Sequence, residues 1–281
     1  MNNFWMRTIT GFSMVFLIIF LMYLRPMAFA ALFLVITILG LLEFYSLTTS
    51  ETVKPQKWMG VICGVILYLV YSLALLTDRL ENNITGFLML PLVLFFLMFV
   101  SEIFRKHPNP IGNLAYTIFG ILYIALPFSL LMIMAKLDNN RDLFGFPSYL
   151  FGYFLLTWTY DTGAYLAGIS FGKHKFFERI SPKKTWEGTI GGIVKAAALT
   201  YFLIILVPGI NPRHWIVLAF IVVVFGTLGD LAESLFKRSL AVKDSGKLLP
   251  GHGGILDRFD TVLLSAPFVF LYFIFFIRIF A

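Results

Sequence analysis

The feature that most constrains this chain is a succession of apolar runs, each about the 20 residues a helix needs to cross the hydrocarbon core of a bilayer. Nine are present, at 8–24, 27–47, 58–76, 86–104, 111–135, 149–169, 188–207, 215–236 and 262–280. A soluble domain of comparable size carries roughly a quarter of its residues as charges. Here only 13% are charged, 59% are hydrophobic, and 32 of the 281 residues are Phe. Water cannot be the only solvent for such a chain. The pattern predicts an all-α fold, a polytopic membrane helix bundle of about nine transmembrane helices, forming a single integral membrane domain over 1–281. The first run lacks a small-residue cleavage site and is followed by similar runs, so it reads as a permanent span. Pro91, Pro127 and Pro267 fall within runs, which spanning helices tolerate; Pro127 is expected to kink the fifth. The one cysteine, Cys63, has no thiol partner and reads as a small hydrophobe.

The net charge of +7 must be read by position. With the N-terminus inside and the runs alternating, inner segments hold 15 Lys and Arg and outer segments 6, counting Arg278 at the outer end of the last run. That bias predicts N-terminus inside, C-terminus outside, in a lipid bilayer. It gives no reason to invoke nucleic acid. Lys195 lies within a run and is expected to snorkel or to pair inside the bundle. Two inner loops stand out as long and polar, 172–187 and 237–260, which directs attention to the cytoplasmic face.

Candidate chemistry gathers in these loops and at their edges. Asp230, Glu233, Ser234 and Lys237 fall at i, i+3, i+4 and i+7 and share one helix face. Carboxylates within a span are costly and usually mark a site. An oxygen-rich patch suits Mg²⁺ better than zinc. The alternative is an internal ion pair of Asp230 or Glu233 with Lys237. Downstream, Lys243, Asp244, Gly246, Lys247, His252, Gly253, Gly254, Asp257, Arg258 and Asp260 crowd one stretch. Its glycines allow close backbone approach to a ligand and its cations suit phosphates. The plainer reading is a solvated basic hairpin whose acids cap a helix. The spacing is not that of a Walker loop. Upstream, Ser181-Pro182-Lys183-Lys184-Thr185-Trp186-Glu187-Gly188 offers hydroxyls and two lysines to a phosphate and an indole to the interface, or simply anchors the chain on anionic lipid. Asp161, within the sixth run, is either a site residue or a helix–helix contact. His107, His174 and His214 carry no signal, and Glu43 and Glu102 read as interfacial.

The stretch from Ser234 to Asp260 resembles the signature of the phosphatidate cytidylyltransferase family. It matches at Ser234, Lys237, Arg238, Lys243, Asp244, Gly246, Pro250, His252, Gly253, Gly254, Asp257, Arg258 and Asp260. The Ser-Pro-Lys-Lys-Thr-Trp-Glu-Gly and Gly-Asp-x-x-Glu-Ser stretches are similar to that family too, so the resemblance covers 149–281. It implies a helical bundle with a polar cavity open to cytoplasm and membrane. It implies the conversion of CTP and phosphatidic acid to CDP-diacylglycerol and pyrophosphate, with Mg²⁺ and room for a second cation, in phospholipid biosynthesis. A bacterial cytoplasmic membrane is the expected location, and a homodimer is left open. On that resemblance, Asp230, Asp257 and Glu233 are metal candidates. Lys237, Arg238, Lys243, Asp244, Arg258 and Asp260 are catalytic candidates, mainly for charge neutralisation. Ser181, Lys183, Lys184, Thr185, His252, Gly253 and Gly254 are substrate candidates, with the lysines on the lipid phosphate and the glycines on the triphosphate. Asp161 and Glu187 are weaker. Two other readings compete: a CTP-dependent lipid kinase, and an ion-coupled transporter using Asp230 and Asp161.

Overall fold

The computed structural model describes residues 3–73, 80–138, 140, 145–246 and 253–279. Over the described residues, each apolar run falls mainly on helix. The helices are α1 (Asn3–Leu24), α2 (Pro26–Thr48), α3 (Lys57–Leu73), α4 (Leu80–Arg105), α5 (Pro110–Gly120), α6 (Leu126–Leu137), α7 (Ser148–Phe171), α8 (Trp186–Leu206), α9 (Pro212–Ser239) and α10 (Leu256–Tyr272). Among the described residues, five helical rods are long and apolar enough to cross a membrane: Pro26–Thr48, Pro110–Leu137, Trp186–Leu206, Pro212–Ser239 and Leu256–Arg278. That is fewer than the nine expected. The helix α7 illustrates why, since Thr157, Thr159, Asp161 and Thr162 dilute its apolar content.

Two further departures have local causes. The rod Pro110–Leu137 is not one α-helix, because Ile121–Ala125 form a π-helical turn just ahead of Pro127. Proline has no N–H and its ring crowds the carbonyl four residues back, and a widened turn is one way to accommodate it. The polar segment 172–187 is no irregular loop. It folds into a hairpin of β1 (Lys175–Phe177) and β2 (Ser181–Thr185), antiparallel, with Lys175 opposite Thr185 and Phe177 opposite Ser181.

The chain packs as two compact units. One comprises Met1–Lys136 and Val242–Phe259. Its core includes Phe33, Phe128 and Phe259, meeting edge to face with centroids 5.3–6.0 Å apart. Tyr45 is fully buried and donates its hydroxyl to the Thr117 carbonyl at 2.7 Å. Gly60 and Gly120 leave room for its ring. Cys63 is buried in this unit, as a small hydrophobe should be.

The other unit comprises Leu137–Ala241 and Asp260–Ala281. A seam of small residues brings α7 and α8 into backbone contact: a Cβ on Gly188 would sit 2.9 Å from the Ala164 carbonyl, and one on Gly163 3.0 Å from that of Gly191. Such seams replace the hydrophobic effect as the source of helix association in lipid. Gly152 makes space for buried Trp215, and the Tyr153 and Ser265 hydroxyls meet at 2.8 Å. Lys195 is exposed, its stem lying where it would meet a side chain at Gly163.

Candidate active site

In the second unit, α9 delivers the predicted face. Asp230, Glu233, Ser234 and Lys237 all lie within its last three turns. Glu233 is buried and pairs with Lys237, Oε2 to Nζ at 2.5 Å, so the ion pair considered from sequence does form, at Glu233. Asp230 is engaged differently: its Oδ2 lies 2.7 Å from Lys184 Nζ, and its Oδ1 is 3.4 Å from Ser234 Oγ.

The hairpin explains how Lys184 reaches α9. Thr185 caps α8, its Oγ1 accepting the Gly188 N–H at 3.2 Å. Glu187, in the first turn of α8, accepts the N–H groups of Lys173 and His174 and the His174 ring at 2.6 Å. The two ends of the hairpin are thereby fastened to one helix terminus. Side chains alternate along a strand. Lys184 is half-buried toward Asp230 and the Thr227 carbonyl (3.4 Å), whereas Lys183 is exposed. Adjacent lysines that look equivalent in sequence are thus turned apart. Ser181 is half-buried opposite Phe177. His174, which carried no sequence signal, is part of this fastening.

Asp260 joins the same neighbourhood because α9 and α10 approach at glycines. A Cβ on Gly229 would lie 2.5 Å from the Asp260 carbonyl, and one on Gly226 2.6 Å from Thr261. Asp260 Oδ1 accepts the Thr261 N–H at 2.7 Å, and the Thr261 hydroxyl lies 3.4 Å from both Asp260 and Asp161. Asp230, Glu233 and Asp161 are all within electrostatic reach of Asp260. Tyr160 bonds to the Thr227 hydroxyl, which itself donates to the Val223 carbonyl at 2.6 Å. This patch therefore gathers four carboxylates and two lysines, with Arg238 exposed one residue past Lys237. Its donors are all oxygen, which fits Mg²⁺, although no three acidic, His or Cys side chains form a ready-made metal cluster among the described residues.

In the first unit the glycine-rich stretch is tied to two carboxylates. Asp257 Oδ2 accepts the N–H of Gly254 at 2.8 Å and of Ser245 at 2.9 Å. Asp257 lies in the first turn of α10 and so ties back the chain ahead of that helix, instead of capping helical N–H groups as the sequence alternative had it. The second carboxylate was missed: Glu43, on α2, is buried rather than interfacial and accepts Ser245 Oγ at 2.5 Å and the N–H groups of Ile255 (2.9 Å) and Leu256 (3.0 Å). Glu102 is buried as well, held by Gln56 (2.6 Å), Asn113 (2.7 Å) and Arg105 (2.8 Å). Gly253 adopts φ +81°, and Lys243, Asp244 and Arg258 are exposed. His252 and Lys247 lie outside the described residues. Asp230 and Asp257, paired as metal candidates from sequence, belong to different units.

Comparison with known proteins places these residues in context. The model of the family described as "Cytidylyltransferase family" matches residues 5–276. A phosphatidate cytidylyltransferase of Bacillus subtilis (strain 168) is 32% identical over 265 residues, spanning 94% of this chain and 95% of the relative. One of Rickettsia prowazekii (strain Madrid E) is 33% identical over 225 residues, 77% of this chain and 92% of the relative. One of Staphylococcus haemolyticus (strain JCSC1435) is 32% identical over 263 residues, 93% and 95% respectively. The kinase and transporter readings gain no support from these matches.

Proposed function

Given that the chain belongs to the cytidylyltransferase family, we propose that it is a phosphatidate cytidylyltransferase, converting CTP and phosphatidic acid to CDP-diacylglycerol and pyrophosphate. The observation carrying this reading is that near-complete alignment with relatives of that name accompanies a polar, phosphate-suited patch on apolar helices.

The chemistry sets what the residues must do. An oxygen of the lipid phosphate forms a bond to the α-phosphorus of CTP, and the bond from that phosphorus to the oxygen bridging to the β-phosphorus breaks. The electron pair leaves with pyrophosphate. A phosphate ionised near neutral pH needs no strong base, so the barrier is chiefly repulsion between anions, and catalysis is positioning and charge neutralisation. Lys184 is the cation best poised to turn from Asp230 to the lipid phosphate, with Ser181, Lys183 and Thr185 on the same strand. Lys237, Arg238, Lys243 and Arg258 are assigned to offset the triphosphate, and Gly253, Gly254 and His252 to bind it. Asp230 and Glu233 in one unit, and Asp257 in the other, are the candidates for holding Mg²⁺, which when bound would neutralise phosphate charge. Asp244 and Asp260 support them or a second cation, and Asp161 and Glu187 shape the surroundings. The groups assigned here all fall in 149–281, within one integral membrane domain of nine crossings. The N-terminus faces the cytoplasm of a bacterium, the C-terminus faces outward, and a homodimer is compatible with the scheme.

The test uses CTP labelled at the α- or γ-phosphate, with phosphatidic acid in mixed micelles and Mg²⁺. Label from the α position enters the lipid, and label from the γ position leaves as pyrophosphate. Lipid labelled from the γ position alone refutes the proposal.

A further inference from the structure

Glu43 is a charged side chain on a membrane helix, 9% exposed, with no role in the chemistry just described. Burying a carboxylate is costly unless its oxygens are fully engaged. Its partners are specific: Ser245 at one end of the glycine-rich stretch, and Ile255 and Leu256 at the other, more than 200 residues away in sequence. The two N–H groups belong to the start of α10, whose first donors have no partner within the helix. Glu43 fills that vacancy with a negative charge at the positive end of the helix.

The glycines repeat the message. A Cβ on Gly254 would collide with Glu43 and with the Ser245 hydroxyl, and one on Gly246 would lie 2.5 Å from Glu43 Oε2. On α2, one turn before Glu43, Gly40 lies under Ile255 and Leu256, where a Cβ would make contacts of 3.6 and 3.9 Å. Gly246 and Gly254 therefore stand against a buried carboxylate of the protein itself. Ser245 passes the restraint on, since its backbone N–H and hydroxyl both contact Asp257 Oδ2, each at 2.9 Å.

We propose that Glu43 is a positioning residue: from α2 it ties Ser245 to the start of α10 at Ile255 and Leu256, and so fixes Asp257 and the Gly254 backbone that Asp257 holds. The inference rests on the cytidylyltransferase reading for its kinetic consequence, but its structural core does not.

The experiment compares full-length Glu43→Gln, Ser245→Ala and Glu102→Gln in detergent. Glu102 is the control, because it is equally buried but touches Gln56, Asn113 and Arg105 instead of the loop. Removing a group that orients a ligand-bearing residue typically costs about 10- to 100-fold. Glu43→Gln and Ser245→Ala should lose kcat by that factor per folded molecule, with a raised Mg²⁺ requirement. Glu102→Gln should lose thermal stability while kcat and Mg²⁺ requirement stay within twofold. Hydrogen exchange, read without substrates, should quicken at Ile255 and Leu256 in Glu43→Gln and not in Glu102→Gln. Unchanged exchange at those amides, or kcat within twofold in folded Glu43→Gln, overturns the proposal. If Glu43→Gln fails to fold, an unchanged kcat in Ser245→Ala overturns it. Failure of the wild-type protein to transfer label from α-labelled CTP would instead count against the cytidylyltransferase reading, leaving the exchange result to judge Glu43.

Discussion

Replacing Lys184 with Met separates two accounts of the Lys184–Asp230 contact. If the pair is structural, its loss should cost stability. At 2.7 Å and an effective dielectric near 20, the gross Coulomb attraction is about 6 kcal/mol. The side chains are 22% and 37% exposed, however, so solvent screening and desolvation remove most of it. Exposed pairs measure about 0.2–1 kcal/mol net, and we expect a loss near 1 kcal/mol, a shift of a few degrees. If Lys184 neutralises a phosphate during transfer, its removal should cost about 100-fold in turnover, or about 2.7 kcal/mol at 1.36 kcal/mol per factor of ten. Stability is read as the thermal unfolding midpoint of the full-length protein in detergent. Turnover is measured as α-labelled lipid formed. Lys184→Arg should recover part of the activity. An activity loss no larger than threefold, or one that follows the folded fraction, would refute a role for Lys184 in the reaction.

Other outcomes follow from the same geometry. Asp230→Asn should cut turnover by orders of magnitude, leave the protein extractable, and alter its Mg²⁺ dependence; unchanged Mg²⁺ dependence would remove Asp230 from the metal site. Gly60→Ala drives a Cβ into the Tyr45 hydroxyl and should destabilise the first unit by about 1–3 kcal/mol, read by the thermal unfolding midpoint. In a Cys63→Ser background, cysteines at exposed Arg179 and Ser239 should react with an impermeant thiol reagent only from the cytoplasmic side, and labelling from outside would reverse the topology.

Much of the fold was legible because its determinants are local. Apolar runs at spanning length gave the helices, and the i, i+3, i+4, i+7 spacing placed Asp230, Glu233, Ser234 and Lys237 on one face. The hairpin at Lys175–Phe177 and Ser181–Thr185 was not legible. Its strands are only three and five residues long, and the bonds of Glu187 to Lys173 and His174 that fasten its base reach across 14 and 13 residues. The turning apart of Lys183 and Lys184 follows from that hairpin, and so was hidden with it.

The two glutamates show where sequence reading must stop. Glu43 and Glu102 each sit near the end of an apolar run, and nothing in their neighbours along the chain distinguishes them from each other or from interfacial residues. The structure buries both and divides them by partner. Glu102 closes a network with Gln56, Asn113 and Arg105, side chains that tie α4 and α5 to the segment before α3. Glu43 meets backbone N–H groups and a serine at the two ends of the stretch most suited to phosphates. The glycines at 246 and 254 were the one visible trace, since glycine marks a close approach without saying what approaches. From sequence a ligand was the natural candidate. In the fold a carboxylate of the chain occupies the space, so these glycines constrain the site through Glu43 whether or not they also face a triphosphate. The same kind of glycine at 229 and 226 brings the Asp260 carbonyl and the Thr261 side chain of α10 against α9. A signature that looks like a list of ligand contacts is thus in part the record of how the carboxylates are held.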